Sequence, residues 1–299
     1  MKLQVALERF VAQMRADGRS EHTLGQYRRA IGLLARWLER EKRPCEVGSI
    51  THETIAAFLN SPDVRTCASG ALKATVTVNA TRTSMRVFFA YLHDAGYAPT
   101  NAARLVRRAI CSPPAPKALG DAEVERLLQV VDAATGPTAL RDRALIRLLL
   151  GSGIRIGSAL ALDVDDVDLE RGELRLLQVK GDRVERVFLS DNAATALGRL
   201  LATLPANGPV FRGPRGERLL KRCAQRRITQ RLDAAGVRDA SPHSLRHTFA
   251  TRLLRRTGDL FLVKTAMLHR SIASTAVYLT VDDRRWREAV ASIEPRPRS

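Results

Sequence analysis

The chain has 299 residues, enough for two domains with cores of their own, and 49 Lys and Arg stand against 31 Asp and Glu, a net charge of +18. No apolar run is long enough to cross a bilayer and no N-terminal stretch has a leader's layout, so a membrane partner is not expected and the expected location is the cytoplasm. The positive surplus points to a polyanion, and to nucleic acid before a membrane surface, because neither an amphipathic basic helix nor a polybasic tail dominates.

The first third reads as helical. "LQVALERFVAQMRADG" spaces its apolar residues at three and four and closes on Gly18, a residue suited to ending a helix. "SEHTLGQYRRAIGLLARWLERE" starts at a capping Ser20 and carries a stripe through Leu24, Tyr27, Ile31, Leu34 and Leu38. "THETIAAFLNS", capped by Thr51, and "NATRTSMRVFFAYLHDAG" complete a compact bundle, with Met85, Phe88, Phe89 and Leu92 assigned to its core. Arg28, Arg29, Lys73, Arg82 and Arg86 are candidates for phosphate contacts, or simply a solvated face. The expected boundaries are a helical domain over 1–110, a stiff linker over 111–119 containing Pro113, Pro114 and Pro116, and a second domain over 120–299.

After the linker the pattern mixes. "LGDAEVERLLQVVDAAT" and "ALRDRALIRLLLGSG" read as helices, the second ended by Gly151 and Gly153. "GELRLLQVKGDRVERVFLS" reads as a β-hairpin turning at Gly181 and Asp182. From Leu219 the chain returns to helices: "LKRCAQRRITQRLDAAG", "SPHSLRHTFATRLL", "DLFLVKTAMLHRS", "STAVYL" and "DDRRWREAVASI". The fold class is mainly α with a small antiparallel sheet. Cys45, Cys67, Cys111 and Cys223 are widely spread, and the six His show no ligand spacing, so no metal and no disulfide framework is expected.

The chemistry concentrates near the end. In "SPHSLRHTFATRLL", Ser241 and Pro242 start a helix whose first turn places His243 and Arg246 on one face. A helix start favours an anion, an Arg fork fits a phosphate, and a His can move a proton near neutral pH. The stretch suits a reacting phosphate, or a helix whose polar residues only cap and solvate it. Further along, "GSGIRIGSALAL" places Arg155 after a Gly-ended helix, "VKGDR" places Lys180 beside a turn, and "MLHRSIASTAVYL" holds His269 and Tyr278. The series Arg155, Lys180, His243, Arg246, His269, Tyr278, with "GIR", "HSLRHTFAT" and "LHRSIASTAVY" around it, resembles the tyrosine recombinase family, also called phage integrases.

The resemblance covers almost the whole chain. It implies a helical SAM-like core-binding domain joined to an α+β catalytic domain, and a site-specific recombinase of the Xer-like or transposon-borne kind. Tyr278 would attack a DNA phosphodiester to form a 3′-phosphotyrosyl bond and release a 5′-hydroxyl. Arg155 and Arg246 would clamp the non-bridging oxygens, Lys180 would be the general acid, with Arg183 and Arg186 as rivals in the hairpin, His243 the base or relay, and His269 a hydrogen-bond donor. It implies no cofactor, double-stranded DNA as partner, and four identical or mixed protomers on two sites. Trp286, Val290 and Ile293 would dock on a neighbour or fold back on their own domain.

Lys221, Arg222, Arg226, Arg227 and Arg231 make a basic helix that would approach the major groove, with Arg28, Arg82 and Arg86 on the first domain. Arg212, Arg215 and Arg218 precede that helix. Two positions depart from the family's usual residues: Leu268 stands where a Gly is usual before the His, and Ser158 where an acidic residue is common. The alternatives are a DNA-binding protein on the same scaffold without catalysis, and a type IB topoisomerase-like relaxing enzyme.

Overall fold

The computed structural model describes residues 1–111, 117–177, 184–268 and Thr275. The chain divides into two units, Met1–Pro114 and Ala115–Ser299. In the first, α1 (Leu3–Ala16), α2 (Glu21–Arg40), α3 (His52–Asn60), the single turn α4 (Pro62–Arg65) and α5 (Thr75–Asp94) enclose one core. The expected stripe of α2 is its buried face, and the Ser20 hydroxyl accepts the Thr23 N–H as its cap. Phe10 sits at the centre, with Tyr27 and Phe88 edge-on at 5.0 and 5.2 Å and Tyr91 tilted at 5.3 Å. Each large side chain buried this fully contributes about 2–3 kcal/mol of transfer free energy.

α5 starts four residues before the stretch assigned from the sequence. Its first turn, Thr-Val-Thr-Val, is β-branched and has weak helix propensity, but Val78 is buried against the bundle and tertiary packing wins. Asn79, 1% exposed, binds both polar backbone groups of Ala109 at 2.9 Å, tying the end of the unit to α5.

The second unit contains α6 (Asp121–Asp132), α7 (Ala139–Ser152), α8 (Ile156–Ala161), α9 (Asp191–Leu201), α10 (Lys221–Ala234), α11 (Pro242–Thr257) and α12 (Leu260–Ala266). An antiparallel sheet runs in the order β1 (Val167–Asp168), β2 (Glu173–Leu177), β3 (Val184–Phe188). The hairpin register pairs Glu173 with Phe188 and Leu174 with Val187, which puts Leu174 and Val187 together on the buried face. β1, α8 and α9 are elements that the sequence reading does not assign. α7 is buried along most of its length and packs on both α9 and α11, so it is the axis of the unit. Residues 117–119, counted above with the linker, are built into this unit: Leu119 is buried and its N–H donates to Thr248 Oγ1 at 2.8 Å, and Lys117 binds the Arg238 carbonyl.

α10 is fixed to α7 by one carboxylate. Asp142, 4% exposed, accepts Arg227 Nε and Nη2 at 2.9 and 2.5 Å and Arg141 Nη2 at 3.1 Å, with Arg231 at 3.6 Å. Asp142→Ala would leave these guanidiniums facing a low-dielectric space without a counter-charge, and is expected to destabilise the fold by about 3 kcal/mol. Urea unfolding of the variant measures this; a loss within experimental error would show that solvent already compensates the arginines.

Candidate active site

α11 carries two of the predicted site residues because its start is strongly specified. The Ser241 hydroxyl accepts the His243 N–H at 3.2 Å, the Ser244 hydroxyl accepts the Ser241 N–H at 3.1 Å, and Pro242 occupies the first turn. His243 is exposed there, one turn from Arg246.

Arg246 is 3% exposed. Its Nη1 donates to the Gly153 carbonyl, and its Nη2 donates to the Met267 carbonyl at 2.5 Å. One guanidinium therefore ties the C-terminal end of α7 to that of α12. Gly153 makes this possible in two ways. It ends α7 in the left-handed conformation, φ 65°, and a Cβ there would overlap the Phe249 ring of α11. Arg155 follows two residues later as the residue that opens α8, and it is exposed. Among the described residues no carboxylate pairs with it: Asp163 is 2.6 Å from Arg218, and the Asp165 carbonyl accepts Arg175.

Arg155, His243 and Arg246 thus meet where α7, α8 and α11 converge. The His243 imidazole is held below its ordinary value, first by the protein crowding the ring and then by the positive charges of Arg246 and Arg155. At neutral pH the ring is neutral and can accept a proton. His247 is half-buried and lies edge-on to the His243 ring at 4.3 Å. Lys180, His269 and Tyr278 lie outside the described residues, as do the hairpin turn and, apart from Thr275, the helices assigned to "STAVYL" and "DDRRWREAVASI". Leu268, one of the two departures, takes φ 50°, the left-handed region that favours glycine, and packs against the core of the unit.

The basic candidates separate. Lys221, Arg222 and Arg226 are exposed on α10, whereas Arg227 and Arg231 turn inward to Asp142, so the helix is not one continuous cationic surface. Arg212 binds the Pro209 and Asn207 carbonyls, and Arg218 binds those of Leu160 and Leu162 as well as Asp163. In the first unit Arg86 is exposed, Arg28 lies 3.7 Å from Glu21, Arg82 donates to Asn79 Oδ1 at 3.0 Å, and Lys73 donates to the Asp63 carbonyl at 2.7 Å. No helix among the described residues is long and apolar enough to cross a membrane.

Residues 117–285 match the model of the phage integrase family, and residues 7–96 match that of the phage integrase N-terminal SAM-like domain. The chain is 31% identical to the tyrosine recombinase XerC of Vibrio parahaemolyticus, over 99% of this chain and 94% of that one. It is 32% identical to the tyrosine recombinase XerD of Mycobacterium tuberculosis, over 94% of each. Its fold is similar to that of the XerH site-specific recombinase bound to its difH substrate (TM-score 0.71, 22% identity, 96% of this chain and 84% of that one). It is also similar to a lambda integrase dimer bound to a COC′ core site (TM-score 0.70, 21% identity, 92% and 97%).

Three outcomes test this geometry. Gly153→Ala is expected to destabilise the fold by about 2 kcal/mol or more, from the left-handed backbone together with overpacking against Phe249; a thermal melt equal to wild type would dismiss the constraint. Lowering of the folded His243 pKa means that protonation opposes folding, so stability falls as pH drops from the unfolded value through the folded one. For catalysis, the acid limb of kcat/KM on DNA is expected to bend below about 6.5, the ordinary imidazole value, and to disappear in His243→Gln. A limb that persists in that variant belongs to another group.

Proposed function

Since the chain belongs to the phage integrase family, as a tyrosine recombinase that cleaves and rejoins DNA, we propose that the cluster of Arg155, His243 and Arg246 is the part of its site that receives the scissile phosphate. The observation that carries this reading is the convergence of two guanidiniums on a histidine whose pKa is lowered, first by the protein crowding the ring and then by their charge. Such a cluster attracts an anion, and its imidazole is ready to take a proton when the anion arrives.

The reaction follows in two balanced steps. The Tyr278 oxygen attacks phosphorus, its proton passes to His243, the bond to the 5′ oxygen breaks, and Lys180 protonates that oxygen. The product is a 3′-phosphotyrosyl bond and a free 5′-hydroxyl. In the second step a 5′-hydroxyl from a partner strand attacks the same phosphorus and gives its proton to Lys180, the bond from phosphorus to the Tyr278 oxygen breaks, and His243 returns its proton to that oxygen. Charge grows on the non-bridging oxygens in both transition states, where Arg155, Arg246 and His269 stabilise it. No cofactor is required, because the phosphotyrosyl linkage retains the bond that ligation uses. The buried aromatic cluster around Phe10 supports Tyr278 as nucleophile: Tyr27 and Tyr91 pack in that cluster, and burial pushes the Tyr91 phenol up, away from reactivity.

Double-stranded DNA is the proposed partner. Lys221, Arg222 and Arg226 offer the exposed contacts on α10, with Arg28 and Arg86 on the first unit. Four protomers, identical or mixed with a related recombinase, would act on two sites, using the segment that holds Trp286, Val290 and Ile293 for docking. A nicked duplex carrying the recombination site, from which the cleaved fragment escapes, is the deciding substrate. Wild type is expected to give a covalent protein–DNA band with chelator present, and Tyr278→Phe none. Tight binding by wild type with no covalent band would instead identify a DNA-binding protein without catalysis.

A further inference from the structure

Away from this cluster, α6, α7 and α9 line an open pocket of about 340 Å³, at the small end of the range for small-molecule sites. Arg143 and Arg147 come from α7, Asp132 from the end of α6, and Asn192, Thr195 and Arg199 from one face of α9. Part of this set has a structural task. Arg147 Nη2 binds Asp132 Oδ2 at 2.5 Å, and Arg143 Nη2 binds the Asp132 carbonyl at 2.6 Å, closing the end of α6.

The remainder is surplus to that task. Both Asp132 oxygens already face Arg143 and Arg147. Arg143 Nε is buried 3.2 Å from Asp132 Oδ1, but at an angle that makes no hydrogen bond. Arg199, Thr195 and Asn192 are exposed on the opposite wall, and among the described residues no carboxylate pairs with Arg199. Three arginines and one aspartate leave the lining with two positive charges. A phosphate monoester or inorganic phosphate carries about that charge with opposite sign near pH 7, whereas a phosphodiester carries half of it.

We propose that this pocket is a second anion site, which takes a dianionic phosphate group between Arg199 and Arg147 with the Thr195 hydroxyl and the Asn192 amide as neutral donors. It is distinct from the Arg155 cluster: Arg147 lies five residues, about 7.5 Å of helix rise, before the end of α7 at Ser152, Arg155 lies beyond that end, and the other wall comes from α9. Guanidinium donors set in a fork suit phosphate better than a halide, so the site discriminates by shape as well as charge.

The test is a thermal shift of the full chain with inorganic phosphate against chloride at equal ionic strength. Phosphate is expected to raise Tm in wild type and in Arg155→Ala. In Arg199→Ala, an exposed position whose change spares the fold, apparent affinity should fall about tenfold or more, with partial recovery in Arg199→Lys. A shift absent from wild type, or equal in wild type and Arg199→Ala, or lost in Arg155→Ala alone, overturns the proposal. Duplex affinity of Arg199→Ala then checks the charge argument: unchanged affinity supports a free phosphate or small phosphorylated ligand, and a loss comparable to that for phosphate would assign the pocket to the monoanionic DNA backbone and overturn the dianion site.

Discussion

The second unit depends on one buried guanidinium. Arg246 spans from α11 to the carbonyls of Gly153 and Met267, which are the last acceptors of two other helices. Buried helix ends need donors, and a buried arginine needs acceptors, so each solves the other's problem. The same contacts leave Arg155 and His243 beside one another at the surface. The site is therefore a by-product of the packing in the sense that the atoms that complete three helices also fix its geometry.

A second polar centre repeats the device with the signs exchanged. Asp142 is the buried anion, and the arginines of α7 and α10 close on it. Arg227 and Arg231 face inward for that reason, which sets the rotation of α10 and turns Lys221, Arg222 and Arg226 outward. A strongly basic helix thereby has a definite inner and outer face despite having few apolar residues to orient it.

Much of this was readable from residues alone, and the failures have physical causes. Periodicity located α1, α2 and α6 because each buries a regular stripe, while α7 showed as a long apolar run ended by glycine and α11 by its Ser-Pro start. α9 was passed over although Ala193, Ala196, Leu197 and Leu200 hold helical spacing behind Ser190, because small alanines make a faint stripe. α8 and β1 are too short to show any period. The cluster of Arg155, His243 and Arg246 was legible as residue types and order. The burial of Arg246 was not, since its partners are backbone carbonyls, which every residue has. Nor was the division within α10: Arg227 and Asp142 are 85 residues apart, and nothing local distinguishes Arg226 from Arg227.

Leu268 follows the carbonyl that Arg246 holds, with its backbone in a region where a branched side chain is uncomfortable by about 1 kcal/mol. A glycine would sit there freely and could swing away as freely. A leucine stays only because its side chain is gripped by the core of the unit and its N–H by the Thr265 carbonyl. The heading on which the chain leaves α12 is thus borrowed from the core and not owned by the joint. Any loosening of that core would be felt at Leu268 itself, as a backbone released from its uncomfortable conformation, while the Arg246 contact to the Met267 carbonyl still held.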